Sequence, residues 1–503
     1  MPDKGTTPGA RGSFFPRLTL FGWLMRLLPA IVFALYTYSH RGAFQPPLCV
    51  SFLYGCPRVP IHIEGIMERA DHYSQVVSYL VSLYTKNEDL GGYLAVFVDG
   101  RPVIDIYAGS KDLEQTVRYD NRTLQQVYSS GKVVEGIVVA RLVQQGKLDY
   151  NAKVSEYWPE FGQNGKEDVT LVDLMVHESG VSHLDDDKKE LTWAHLKDDE
   201  KFSERLAGQK HAFDGEKVRS YHAITRGWYL NEIVRRVDPK GRSIGQIAEQ
   251  ELMNDYNDVE LYYSSFPNDS VWEERLSPMH DYPFLRLVGR VLLPQFLQNS
   301  NLAGFPTMRA IHPWVWDWIK GKTYTARAMA PAMAPMADSF RTKEAHAVES
   351  TSFSLKTNAH SLAKLLSMMA NKGAAIKPNE PDLLDRATYE LATSLHSNKP
   401  CKVTKDTLPL STGGWVKTTE FLGVGVSGPL QGVEVQGWAG AGGSIAVWIE
   451  ELGISFAYVT NAFGAPESIL GDYRGKTLLD RVVYARKDEL GLLPPKKVKE
   501  EQK

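Results

Sequence analysis

Leu94-Ala95-Val96-Phe97-Val98 and Val103-Ile104-Asp105-Ile106-Tyr107 stand on either side of Asp99-Gly100. Two apolar, β-branched runs around a two-residue Asp-Gly turn predict a tight antiparallel hairpin. The clearest further strand runs come near the far end of the chain. They are Val433-Glu434-Val435, Ser444 to Ile449 and Ile454 to Val459, the last two joined through Glu451-Leu452-Gly453. Between the two ends, from about 185 to 350, the pattern is mostly helical with irregular insertions. Strands from both ends then meet in one antiparallel sheet, helices flank it, and a mainly helical segment is inserted between. The expected class is α/β in the layered, α+β sense. With 503 residues, 43% of them hydrophobic, the chain can bury a core of that size.

Helical spacing marks the flanking layers. Val76, Val77, Leu80, Leu83 and Tyr84 predict an amphipathic helix ended at Gly91-Gly92. Ser361 to Leu366 predicts another, and a third runs from about Lys476 to Lys487. The expected layout is a basic segment 1–17, an apolar segment 18–38, a stalk 39–63, a globular body 64–491 and a basic tail 492–503. No internal repeat is visible.

Leu18 to Tyr38 approaches the length of a membrane span, broken by Arg26 and Pro29. Lys4, Arg11 and Arg17 precede it, a bias that favours a cytosolic N-terminus and a translocated body. The expectation is a single-pass signal-anchor with the globular domain lumenal or extracellular. A mitochondrial presequence ranks second and a buried helix third. Cys49 and Cys56 would follow the span, either paired or as free thiols, and the sequons at Asn121 and Asn268 fit that side.

A net charge of −3 gives no reason to expect nucleic acid. The three cysteines form no C-x-x-C pair and the histidines no metal-ligand pair, so neither a metal nor any other cofactor is expected. Gly423 to Gly428 matches the glycine-rich dinucleotide pattern by letter. That pattern must open a helix, and here Pro429 and a strand-like run follow, so a glycine-rich strand and turn is the reading.

Ser129-Ser130-Gly131-Lys132 heads a run in which Val133, Val134, Ile137, Val138, Leu142 and Val143 recur at helical spacing, ended by Gly146. Ser129 and Lys132 then share one face, a turn apart, near unpaired N–H groups. A serine needs a base to become a nucleophile, and a desolvated lysine is pushed toward its neutral form. S-x-x-K alone is common, so partners must converge on it. Tyr221, at the entry to a helix containing Trp228, Tyr229 and Leu230, offers a proton relay. Gly437-Trp438-Ala439-Gly440-Ala441-Gly442-Gly443-Ser444 opens a strand with little bulk, where substrate can approach the backbone. His177, ending an apolar helix, reads as a hydrogen-bonded structural residue.

These three motifs, in this order, resemble the serine β-lactamase-like family of class C β-lactamases, D,D-peptidases and related esterases. The likeness extends over about Glu64 to Gly491, including Gly146 to Asp149, Leu174 to Val181, Tyr221 to Trp228 and Ala457 to Asn461. The resemblance implies a β-lactamase/transpeptidase-like fold, here as a membrane-anchored, eukaryotic-type member. It implies Ser129 as the acyl-forming nucleophile, Lys132 as its base or electrostatic partner and Tyr221 as the proton shuttle. By motif position, the Ser129 and Ala441 N–H groups would form the oxyanion hole. In β-lactamases the second motif is Y-x-N and the third K-T-G. Here they read Tyr221-His222-Ala223 and Trp438-Ala439-Gly440, which places His222, Trp438 and Gly440 against substrate and removes two handles for carboxylated amides. The expected activity is a serine hydrolase of uncharged esters or amides. The alternatives are a membrane-anchored self-assembling protein that keeps the fold and, behind it, a D,D-peptidase or β-lactamase. A homo-oligomer is left open.

Overall fold

Nine strands form one sheet whose two halves come from opposite ends of the chain, as seen in a computed structural model. It describes residues 27–33, 44, 61–185, 196–197, 199–264, 274–282, 320, 323–329, 343–419, 429–464 and 472–493. The strand order is Ile63–Met67, Arg101–Gly109, Gly91–Val98, Ile454–Thr460, Ile445–Ile449, Val435–Ala439, Val416–Thr418, Thr407–Ser411 and Leu395–Pro400. Every pairing in it is antiparallel. The predicted hairpin is there, and the halves join where Gly91–Val98 pairs with Ile454–Thr460, Ala95 opposite Ala457.

Helices cover both faces. Ser455 Oγ donates to the Ala363 carbonyl of the Ala359–Ala370 helix at 2.7 Å. Three residues along the same strand, Tyr458 lies beside Gly475 of the Tyr473–Glu489 helix. Residues of opposite parity point to opposite faces of a strand, so the two helices sit on opposite sides of the sheet. The Ala70–Thr85 helix packs beside Tyr473–Glu489. It ends sooner than the glycine signal predicts, because Gly91 and Gly92 open a strand. A Cβ on Gly92 would stand 2.6 Å from the Val459 carbonyl oxygen, an approach only glycine allows. The helical segment from about 185 to 350 includes, among its described residues, the helices Asp199–Gly208 and Thr225–Val237.

The membrane expectation is corrected. Among the described residues no helix is long and apolar enough to cross a membrane. Within the apolar segment only residues 27–33 are described, and they are helical, whereas a span needs about 20 residues. The signal-anchor reading and the single-pass, lumenal or extracellular placement built on it therefore fall. Cys49, Cys56, the Asn268 sequon and residues 423–428 lie outside the described residues. So do most of the stalk and of the tail.

Candidate active site

The Leu124–Gln126 strand runs into a 3₁₀ turn, Tyr128–Gly131, and the α-helix begins at Lys132. The sequence pattern puts Ser129 at the head of the helix, and the structure sets it in the 3₁₀ turn just before. In 3₁₀ geometry side chains three apart eclipse, which still stacks Ser129 over Lys132. Tyr128 enters the turn at φ +47°, a strained conformation for a residue with a side chain. Its ring packs edge-on against Phe463 at 5.7 Å between centroids. The Lys132–Gln144 helix is buried on nearly all sides rather than amphipathic, which holds the turn rigidly.

Ser129 is half-buried, whereas Lys132 and Tyr221 are buried. Tyr221 Oη donates to Ser129 Oγ at 2.8 Å, and Lys132 Nζ lies 3.3 Å from the same oxygen. Lys132 Nζ also donates to the carbonyls of Ala223 at 2.8 Å and Ser352 at 2.9 Å. It stands 5.2 Å from the centre of the Tyr221 ring. Burial, and then the charge of Arg226, hold the Lys132 amine well below its ordinary range, against the pull of Glu135. Burial pushes the Tyr221 phenol up to about 12, tempered by its bond to Ser129, by Arg226 and by the Trp438 N–H. A serine hydroxyl with a neutral amine and a phenol in reach can be deprotonated and can attack a carbonyl carbon.

Tyr221 is held from behind. Trp438 stacks on its ring at 5.7 Å, His177 meets it edge-on at 4.9 Å, and its backbone N–H donates to Cys401 Sγ at 3.3 Å. His222, expected against substrate, is fully buried. Its Nδ1–H donates to the Ser220 carbonyl at 2.6 Å, leaving Nε2 to accept from Ser179 Oγ at 2.8 Å. Burial drives its pKa down to about 3. With both nitrogens used internally it supports Tyr221 instead of meeting substrate, and the expectation for it is corrected. Trp438 is also fully buried and reaches the site through Tyr221. His177 is the hydrogen-bonded structural residue expected, its Nδ1 accepting from the His222 N–H at 3.2 Å.

The glycine-rich strand end abuts the Tyr128–Gly131 turn. A Cβ on Gly440 would lie 2.1 Å from the Val127 carbonyl oxygen and 3.1 Å from the Ser130 nitrogen. Ser444 Oγ donates to that same Val127 carbonyl at 2.7 Å and meets Ser130 Oγ at 3.0 Å. The turn closes through Gly440 N–H to the Ser444 carbonyl at 2.8 Å, and Ala441 beside it is exposed.

Sequence reasoning missed Ser444 as the tie between the two motifs, and missed a buried ion pair beneath Lys132. Arg226 Nε donates to Glu135 Oε1 at 2.5 Å, with both side chains fully enclosed. The only sequence signal was Glu135 three residues after Lys132 and Arg226 five after Tyr221. Among the described residues no cluster of potential ligands could hold a metal ion.

The sequence model of the family described as Beta-lactamase matches residues 80–479. The chain is 27% identical over 405 residues to the esterase/beta-lactamase LipL of Mycobacterium tuberculosis, covering 80% of this chain and 84% of the relative. Among solved structures, a penicillin-binding protein homolog from Caulobacter crescentus superposes with a TM-score of 0.65 at 23% identity, over 84% of this chain and 100% of that one. A family VIII carboxylesterase does so with a TM-score of 0.64 at 21% identity and the same coverage. At these identities the two structures speak for the fold.

Proposed function

The chain belongs to the beta-lactamase family, as a hydrolase of that fold, and we propose that it cleaves uncharged esters or amides through an acyl-enzyme on Ser129. The observation that carries this reading is the convergence of Tyr221 Oη and Lys132 Nζ on Ser129 Oγ, at 2.8 and 3.3 Å. Ser129 Oγ attacks the substrate carbonyl carbon while its proton passes into the Lys132–Tyr221 pair. The two groups are coupled, so the proton belongs to the pair. The oxyanion accepts from the Ser129 and Ala441 N–H groups; among the described residues no protein group accepts from the latter. Collapse expels the alcohol or amine, which takes a proton through Tyr221. Water then adds to the acyl carbon, using the same pair as base, and the acid leaves.

The substrate preference rests on what two motif positions lack. Ala223 carries only a methyl group and gives its carbonyl to Lys132, and the indole of Trp438 is enclosed behind Tyr221. Neither offers a charged or amide contact to a carboxylated substrate, which disfavours the D,D-peptidase and β-lactamase readings. The LipL relative, named as both esterase and beta-lactamase, is consistent with ester hydrolysis. A purely self-assembling role is not favoured. Burying a lysine with no carboxylate against it costs stability, and that arrangement serves chemistry rather than packing.

Turnover of p-nitrophenyl acetate and butyrate against nitrocefin tests the preference. The esters are expected to turn over faster, with Ser129→Ala inactive on all three. A higher kcat/KM for nitrocefin would overturn it.

A further inference from the structure

Lys132 and Glu135 stand three residues apart on one helix, a spacing at which an ammonium and a carboxylate ordinarily pair. They do not pair here. Lys132 Nζ faces Ser129 Oγ and the carbonyls of Ala223 and Ser352. Glu135 is held away: Oε1 accepts from Arg226 Nε at 2.5 Å, and Oε2 accepts from Thr351 Oγ1 at 2.6 Å and Ser352 Oγ at 3.1 Å. Arg226 is fixed in turn. Its Nη1 donates to the carbonyls of Met175 at 2.9 Å and Gly414 at 3.2 Å, and its guanidinium lies 5.7 Å over the Trp438 ring. Lys132, Glu135 and Arg226 are all fully enclosed.

We infer that Arg226 is a positioning residue whose task is to sequester Glu135, keeping that carboxylate off Lys132 so that Lys132 serves as an uncharged base. The inference rests on the reading of Lys132 as part of the base for Ser129. Freed from Arg226, Glu135 would lie one turn from a buried amine in a low-dielectric setting, where a carboxylate holds a neighbouring ammonium strongly. Lys132 would then be trapped as a cation, its lone pair lost to Ser129. The second carboxylate oxygen matters as well. Ser352 donates its hydroxyl to Glu135 while its carbonyl accepts from Lys132, so one residue spaces the two groups apart.

Other elements packed around Lys132 contribute no competing charge. From the segment before the Thr225–Val237 helix come Tyr221, raised to about 12, and His222, lowered to about 3, both by burial first. From the turn after Leu171–Met175 comes His177, held well below its usual value by burial first and then by Arg226. Arg226 and Glu135 are left as the opposed pair, and they act in the same two directions on Tyr221 as on Lys132.

The test is the pH dependence of fluorophosphonate labelling of Ser129 in the full chain, for wild type, Glu135→Gln, Arg226→Gln and the double variant. Arg226→Gln is expected to move the acid limb up by one pH unit or more, slowing labelling on that limb at least tenfold, because one unit is a factor of ten. Glu135→Gln is expected to move the limb down, and the double variant to recover toward wild type. A merely structural pair would slow labelling at every pH with the limb fixed. A limb that stays or rises in Glu135→Gln, or a double variant no faster than Arg226→Gln, overturns the inference. Should Arg226→Gln fail to fold, Glu135→Gln against wild type decides alone. Wild type that takes no label on Ser129 would instead defeat the nucleophile reading itself.

Discussion

Tyr221 Oη donates a 2.8 Å hydrogen bond to Ser129 Oγ across 92 positions of sequence. The bond joins a strained 3₁₀ turn at one end of the sheet to the entry of a helix in the inserted segment. Its geometry depends on Trp438, His177 and Cys401 behind the phenol. Removing the hydroxyl while keeping the ring isolates its chemical part. Tyr221→Phe is expected to lower kcat by roughly 10²–10⁴-fold, the usual range for a positioned proton donor or acceptor. KM for a p-nitrophenyl ester should change little, as steady-state kinetics on the purified variant will show.

On the proposed mechanism, the acid limb of the reaction follows from Lys132. Its amine is held well below its ordinary range by burial first and then by Arg226, and it must be neutral to accept a proton. Activity is therefore present above the folded-state pKa of Lys132 and lost as the pH falls through it. Lys132→Met, of similar length and without the amine, should abolish this limb together with most of kcat. A pH–rate profile that keeps the limb in that variant would assign it elsewhere.

Gly440 is a packing constraint on the Tyr128–Gly131 turn. A methyl group there would press on the Val127 carbonyl oxygen, which already accepts from Ser444. Gly440→Ala should destabilise the fold by roughly 1–3 kcal/mol, the usual cost of overpacking. It should also reduce ester turnover more than the loss of folded protein explains, measured by thermal melting beside kcat per folded molecule.

A second charged cluster sets a pH dependence of stability remote from the site. His360 Nδ1 lies 2.7 Å from Asp105 Oδ2, and Nε2 lies 3.5 Å from Asp258 Oδ2. Burial alone would lower its pKa, but the hydrogen bonds and charges of the two aspartates raise it to about 9. A raised folded-state pKa gives stability that is fully present below about 6.5 and lost as the pH rises through about 9. His360→Gln should flatten that loss, worth on the order of 3 kcal/mol. Chemical denaturation at pH 6 and pH 9.5 measures it.

Much of this architecture was legible in the sequence because its signals are local. The Asp-Gly hairpin, the Ser444–Ile449 and Ile454–Val459 strands and the Gly146 stop of the helix after Ser129 all follow from turn chemistry and period. The convergence of Ser129, Lys132 and Tyr221 was legible because a known order of motifs linked stretches far apart in the chain. The Leu395–Pro400 edge strand was not named, since its mostly exposed Leu-His-Ser-Asn-Lys-Pro lacks any alternation of apolar residues. The Glu135–Arg226 pair was equally hidden, because two charged residues on helices read as solvated faces until the fold encloses them. His222 misled for the opposite reason: next to a catalytic-type tyrosine it looks exposed to substrate, yet Ser179 and the Ser220 carbonyl take both its nitrogens.

Every catalytic step proposed for this chain requires Ser129 as a nucleophile. The 503-residue chain treated with a fluorophosphonate and digested for peptide mass spectrometry should carry one phosphonyl group on Ser129. Labelling should be lost in Ser129→Ala and strongly slowed in Lys132→Met and Tyr221→Phe. An unlabelled wild-type protein, or equal labelling of Ser129→Ala, would contradict it.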